Sequence, residues 1–308
     1  MVKKFEFQIE QDFHKTRLDD FLFATFPSLS KMYLRDLLKS EKCEVNGYTG
    51  NAGMVLKTND FIEIEVDTDR ETAMMPQKIP LEIIFEDKQI IIINKPAGML
   101  VHPTHREKNG TLLNGLAFYL NPKSETPPDP KSDIRHPKSS PVRPGLVHRL
   151  DKQTSGLILA AKTQRALRIL SNHFKRKLVE KKYLAWVEGT VGEDRGRIEA
   201  PIGRYADEKR WDIKTDGKMG ITNYLVRKRF SDKTLLEMEP VTGRTNQLRI
   251  HCSHIGHPII GDERYGGRSF SRMCLHAAGL GFFHPSTNEK VLFETDLPKE
   301  MDFGEDVG

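Results

Sequence analysis

Read for periodicity alone, the opening residues predict a small mixed module. Phe5-Glu-Phe-Gln-Ile alternates as a strand does, and Leu18, Phe21, Leu22 and Phe26 then recur at helical spacing. A second helix is predicted from Ser28 to Lys39 with Ser30 as its N-cap. Tyr33, Leu34, Leu37 and Leu38 form its apolar stripe, and Lys31, Arg35 and Lys39 its wet side. Cys43-Glu-Val-Asn-Gly marks a turn, and Asp60 to Val66 alternates again as a strand. The polar residues 67–78 read as a linker.

The pattern then changes. Leu81-Glu-Ile-Ile-Phe-Glu and Gln89-Ile-Ile-Ile-Ile-Asn are strands joined by Asp87-Lys88, and the second is apolar on both faces. It is therefore predicted at the centre of a sheet, delivering Lys95-Pro-Ala-Gly98 to the sheet's end. A helix is predicted over Thr111–Leu120. Residues 121–145 carry Pro, Lys, Ser and Asp with hardly an apolar side chain, so they cannot offset their own ordering entropy and are expected to form a mobile surface loop. The apolar run to Ala161 predicts a buried strand. A helix follows over Thr163–Leu178, with Leu167, Leu170, Phe174 and Leu178 as its buried stripe. Lys182 to Gly189 reads as a strand. Residues 197–229 read as strands broken by a charged excursion containing Tyr205 and Trp211, and residues 303–308 as a frayed tail.

Composition narrows the classes. A chain of 308 residues can hold one large core or two domains. Mean hydropathy is -0.53, and no apolar run approaches the ~20 residues of a membrane span. Net charge is only +5, so basic character must be regional to matter. It is densest around Arg165, Arg168, Lys175, Arg176, Lys177, Lys181 and Lys182, a face that either stays solvated or meets a phosphate backbone. Three cysteines make no disulfide framework and fit a reducing compartment; with no apolar signal core at the start, a cytoplasmic location is expected. His251, Cys252, His254, His257, Cys274 and His276 are zinc-ligand types. Their spacing fits no common finger, so no metal is expected.

The candidate chemistry centres on Arg143 to Leu157. Asp151 follows His148 and Arg149 and precedes the small-residue turn Thr154-Ser155-Gly156 that leads into the buried strand. A carboxylate beside cations is expected to stay ionised; the plain alternative is an Asp closing an ordinary turn with the Thr and Ser hydroxyls.

His148-Arg149-Leu150-Asp151-x-x-Thr154-Ser155-Gly156-Leu157 resembles the signature of RluA-type RNA pseudouridine synthases. Asn94 to Pro103, and Thr242 to His251 continued by Gly256 to Gly266, resemble two further motifs of that family, in the family's order. The N-terminal helix-helix-hairpin resembles an S4-like RNA-binding module. The resemblance implies an α/β (α+β) fold with an S4-like domain over residues 1–72. It also implies a catalytic domain over 79–303, built on a mixed, mostly antiparallel sheet with a central basic cleft.

It further implies roles for individual residues. Asp151 would be the catalytic carboxylate, Tyr183 the aromatic residue that stacks on the extruded base and is a candidate to abstract a sugar proton, and Arg249 the cation paired with Asp151. Arg149 would fill the space the base leaves, and Leu275 would pack beneath the base. His148, Arg244 and Asn246 would contact substrate, Asn246 standing where the family more often has His. Lys31, Arg35 and Lys39 would contact phosphates. The expected reaction is conversion of uridine to pseudouridine in structured RNA, with large-subunit (23S) ribosomal RNA as first expectation and transfer RNA as nearest rival. It would need no cofactor and no membrane, and the protein is expected to be a monomer. An RNA-binding assembly factor with a vestigial site is the alternative of a different class. Whether Asp151 acts as a nucleophile at C1′, stabilises cationic charge there or attacks C6 stays open at this point.

Overall fold

The computed structural model describes residues 2–26, 29–67, 75–104, 106–121 and 142–304. Most of the expected linker (68–74), most of the expected surface loop (122–141) and the last four residues of the expected tail lie outside them. The chain divides into two compact units, Met1–Pro80 with His102–Arg143, and Leu81–Val101 with Pro144–Gly308.

The first unit contains β1 (Val2–Gln8), α1 (Leu18–Thr25), α2 (Lys31–Lys39), β2 (Cys43–Val45), β3 (Tyr48–Thr49) and β4 (Phe61–Asp67). The four strands form one antiparallel sheet in the order β1-β4-β2-β3. Period-2 alternation turns Ile62, Ile64 and Val66 inward, where they meet Phe5, Leu18, Leu22 and the predicted α2 stripe of Tyr33, Leu34, Leu37 and Leu38. Ser30 caps α2 by accepting a hydrogen bond from the Tyr33 amide (3.1 Å), a contribution of about 1 kcal/mol. Asn46 and Gly47 both have positive φ, as a two-residue hairpin turn requires, and they join β2 to β3. The unit also holds α3 (Leu112–Tyr119), which begins with a capping box between Thr111 and Asn114.

The second unit is built on eleven strands: β5 (Glu82–Glu86), β6 (Ile90–Lys95), β7 (Gly145–Leu146), β8 (Ser155–Ala161), β9 (Glu180–Glu188), β10 (Arg195–Tyr205), β11 (Arg210–Ile213), β12 (Lys218–Arg229), β13 (Lys233–Pro240), β14 (Leu275–Phe283) and β15 (Lys290–Glu294). Their order is β11-β10-β12-β13-β9-β14-β8-β6-β5, with β7 paired to β8 and β15 to β14. Among the described strands, β8 and β14 make the sole parallel pair. The sheet is thus mixed and mostly antiparallel, and the fold is α+β. All four isoleucines of β6 are fully buried, as a strand apolar on both faces must be.

Two helices pack on this sheet, α4 (Gln164–Lys175) and α5 (Gln247–His254). One hydrophobic cluster joins Ile90, Ile92, Leu157 and Leu159 to Leu170 of α4, and a second joins Trp186, Leu236 and Met238 to Leu248 of α5. Two expectations are corrected here. The helix expected to reach Leu178 ends at Lys175, because Lys177 takes a left-handed φ of 58°; Leu178 consequently leaves the stripe and is 44% exposed. The tail expected to fray from Phe303 is docked there, with the Phe303 ring 5.1 Å from that of Trp186, whose indole N–H donates to the Met301 carbonyl (2.8 Å).

Candidate active site

Five strands converge at the place where the signature turn enters the sheet. β8 and β14 pair for two steps only, Ser155 opposite His276 and Gly156 opposite Ala277, before each takes another neighbour. Across that step Lys95 pairs with Gly156 and Tyr183 with Ala277, and Met238 pairs with Tyr183 beyond. The close approach depends on Gly156, whose φ is 115°; a Cβ there would lie 2.3 Å from the Ala277 carbonyl oxygen. Asp151 sits one turn before this junction, its carbonyl accepting from the Thr154 amide (3.1 Å).

Lys95 holds the two loops flanking the junction together. Its side chain is fully buried, and its ammonium donates to the carbonyls of Pro96 (2.8 Å), Met99 (2.9 Å) and Lys152 (3.2 Å). The Gly98 amide adds a bond to Lys152 O (2.8 Å). Burial lowers the Lys95 pKa to about 8, against the attraction of Asp151.

Arg249 reaches the site from α5, whose start is fixed by Gln247. The Gln247 amide donates to Ile221 O and Thr222 Oγ1 (both 2.9 Å) and accepts from Thr242 Oγ1 (2.6 Å) and the Arg244 amide (3.0 Å). Asn246 precedes it in a left-handed conformation, φ 55°. Arg249 then donates from Nε and Nη2 to both oxygens of Asp262, at 2.7 and 2.6 Å, and its guanidinium lies 4.8 Å from the centre of the Tyr265 ring. Tyr265 in turn donates to Trp211 O (2.7 Å) and accepts from Asn246 Nδ2 (3.0 Å). Only Nη1 is left facing Asp151, 3.9 Å from Oδ2.

These groups surround a cavity of about 560 Å³, lined among others by His148, Arg149, Asp151, Tyr183, Arg244, Asn246, Arg249 and Leu275. Among the described lining residues six are Arg or Lys and Asp151 is the one carboxylate. Burial raises the Asp151 pKa above the ordinary carboxylate value; Arg249, Arg149 and Lys95 oppose the shift and Asp262 reinforces it. Cations alone were expected to decide this group, and desolvation is the larger influence. Burial also raises the Tyr183 hydroxyl, with help from the Asp151 charge, so that it is a neutral phenol at physiological pH.

The predicted site residues thus fall into two sets. Eight of them share the cavity. Lys31, Arg35 and Lys39 lie on α2 in the first unit, where Arg35 donates to Asp19 (3.0 Å) and covers the Phe23 ring. His148 lines the cavity but is not the cation that its neighbour Arg149 suggested. Its Nε2 accepts from the Leu159 amide (2.9 Å), its ring stacks on Phe174 and its pKa is pushed down by burial to about 3. It braces β8 against α4 as a neutral ring.

Asp262, Tyr265, Gln247 and Lys95 lie within the three stretches that resemble the family's motifs but carried no individual expectation, since no local signal ties Asp262 and Tyr265 to Arg249. Among the described residues no group of three or more His, Cys, Asp or Glu side chains is placed to hold a metal ion. His251 and His276 are instead buried against Thr222 and Ser155 hydroxyls. Among the described residues no helix is long and apolar enough to cross a membrane.

Residues 89–254 match the model of the RNA pseudouridylate synthase family. An uncharacterised RNA pseudouridine synthase of Bacillus subtilis, YlyB, is 37% identical across 92% of this chain and 91% of its own. The ribosomal large subunit pseudouridine synthase D of Xanthomonas campestris is 34% identical across 92% of this chain and 86% of its own. Among solved structures, human RNA pseudouridylate synthase domain containing 1 superposes with a TM-score of 0.55 at 26% identity, over 74% of this chain and 86% of its own. The chain therefore belongs to the RNA pseudouridine synthases of RluA type, isomerases that act on RNA.

Proposed function

We propose that this enzyme converts uridine to pseudouridine in large-subunit ribosomal RNA and that Asp151 is its catalytic group. The observation that carries the reading is the carboxylate of Asp151, the one acid among the described residues lining a cavity that also presents six Arg and Lys side chains. Cations lining a cleft attract a polyanion, while the single acid is the group with the charge to act on a sugar.

The reaction detaches the base from C1′, turns it and rejoins it through C5, which cannot occur inside a stacked helix. Extrusion costs a few kcal/mol, and the exposed guanidinium of Arg149 beside Asp151 is suited to fill the vacated stack. Tyr183 and Leu275 supply the aromatic and aliphatic walls that keep the detached uracil from diffusing away. The Tyr183 hydroxyl, a neutral phenol, donates or accepts a hydrogen bond there; acting as a base would require Asp151 or substrate to take its proton first. Asp151 works as a nucleophile or as an electrostatic stabiliser of the ribose cation, and Arg249 steadies it from 3.9 Å. No metal, nucleotide or redox carrier enters the scheme. RNA is the partner, the cytoplasm the expected location, and a single chain is sufficient because every group named belongs to the second unit.

The ribosomal choice is supported by relatives such as the Xanthomonas campestris protein, which is named for action on the ribosomal large subunit. We read residues 1–72 as an S4-like RNA-binding domain, with Lys31, Arg35 and Lys39 on one helix as its phosphate contacts. Mapping pseudouridine in unmodified 23S and transfer RNA transcripts after incubation with the enzyme tests the substrate. Modification confined to 23S RNA is expected, and modification of transfer RNA alone would overturn the assignment.

A further inference from the structure

Asp262 has no place in the scheme above, yet it is the most deeply buried carboxylate at the site, its side chain 2% exposed, and it makes the shortest ion pair there. A fork of two hydrogen bonds at 2.6 and 2.7 Å fixes the guanidinium plane of Arg249. The Tyr265 ring beneath it holds the same plane. What remains for Asp151 is the third nitrogen, Nη1, at 3.9 Å, a nitrogen also 3.5 Å from Asn246 Oδ1.

We propose that Asp262 is a positioning residue for the isomerisation: by engaging two of the three guanidinium nitrogens of Arg249 it withholds that arginine from Asp151, leaving the catalytic carboxylate aimed but only loosely paired. The inference rests on the reading of Asp151 as the catalytic group. A carboxylate clamped bidentately by Arg249 would be a weak base and a poor nucleophile, since both functions need an available lone pair. One held by a single longer contact keeps its oxygens for the ribose. Asp262 also places a second negative charge near Asp151, which favours the protonated form of Asp151 and works in the same direction as burial. The groups facing Asp151 are Arg149 on its own loop, Lys95 of β6, Tyr183 of β9, Arg249 of α5 and Asp262. Over the acid range Lys95 stays charged and Tyr183 stays neutral, so a change at Asp262 is read without interference from them.

The test is Asp262→Asn, which keeps the volume, removes the charge and sets an amide against the fork. Single-turnover rates are measured from pH 4 to 8 on whichever of the unmodified 23S or transfer RNA transcripts the wild-type enzyme modifies, with RNA affinity measured alongside. The expected result is a rate lowered roughly ten- to hundredfold with RNA affinity retained. The acid limb is expected to move about one pH unit lower, because a freed Arg249 closes on Asp151. Asp262→Glu, which restores the charge, should return the acid limb towards its wild-type position. An Asp262→Asn enzyme with an unmoved acid limb, whatever its rate, overturns the proposal. Should that variant fail to fold, Asp262→Ser, which also removes the charge and empties the fork, carries the same test: an acid limb moved lower supports the proposal and an unmoved one overturns it. Asp151→Asn run in parallel separates the two readings, since its activity would remove the catalytic assignment itself.

Discussion

Three histidines with desolvated rings, His251 and His276 buried and His148 at the cavity wall, carry a pH dependence that the side chains themselves dictate. His148 accepts from an amide, and His251 and His276 each meet a buried hydroxyl, at 2.9 and 2.7 Å. Burial depresses all three, to about 3, 4 and 4. An unfolded histidine titrates near 6.5, so between about pH 4 and 6.5 the unfolded chain binds more protons than the folded one and stability rises with pH. The prediction is that unfolding free energy, measured by urea denaturation, falls from pH 7 to pH 4.5, with protons taken up on unfolding. Asp151, shifted the other way, offsets a fraction of this at the acid end. A flat profile would contradict the assignment of neutral buried rings. None of this is legible in the chain: His148 beside Arg149 reads as a cation, and only Phe174, arriving from a later helix, reveals a stacked and desolvated ring. That Asp151, Tyr183, Arg249 and Leu275 share one cavity was expected from the family resemblance. Asp262 was not, because its meaning lies in a partner that folding brings to it.

At the scale of elements, the junction of β8 with β14 decides whether the site assembles. Gly156→Ala must resolve a 2.3 Å contact with backbone at a φ of 115°, whereas Gly256→Ala, at φ 80° with nothing within 4 Å, bears only the left-handed strain. The first is expected to cost about 3 kcal/mol or more and to reduce activity sharply; the second should cost about 1–2 kcal/mol and leave turnover intact. Parallel urea melts and rate assays check this, and equal behaviour of the two variants would contradict it. Ile92→Ala, removing a fully buried side chain from the sheet's centre, should cost about 2–5 kcal/mol on the same assay. The individual elements were largely legible: β6 announced its central place by being apolar on both faces, and the α2 stripe predicted its buried side. Strand order was not, since pairing β8 in parallel with β14 leaves no local trace in either segment. The end of α4 was misread for a related reason. Leu178 continues the helical spacing, and the left-handed turn at Lys177 that removes it has no strong marker.

At the scale of the whole molecule, the enzyme's charge is modest but its cavity is not, so RNA affinity should depend steeply on salt. Lys175→Ala and Lys177→Ala, both at the cavity, are each expected to lower the slope of log affinity against log salt by about one, without altering which uridine is modified. Lys39→Ala makes the same test of the first unit, and an unchanged slope there would remove that residue from the phosphate contacts. The change in periodicity after residue 78 suggested two parts, but the placing of residues 102–143 with Met1–Pro80 has no local trace, because the helical spacing of Thr111–Leu120 does not say which unit the helix joins. Above all of these stands the claim that one ionisable oxygen at the β8 turn performs the chemistry. Its most direct test is Asp151→Asn assayed separately for pseudouridine formation and for RNA binding. Loss of all measurable product with affinity within about twofold of wild type is predicted, and turnover persisting at a comparable rate would contradict it.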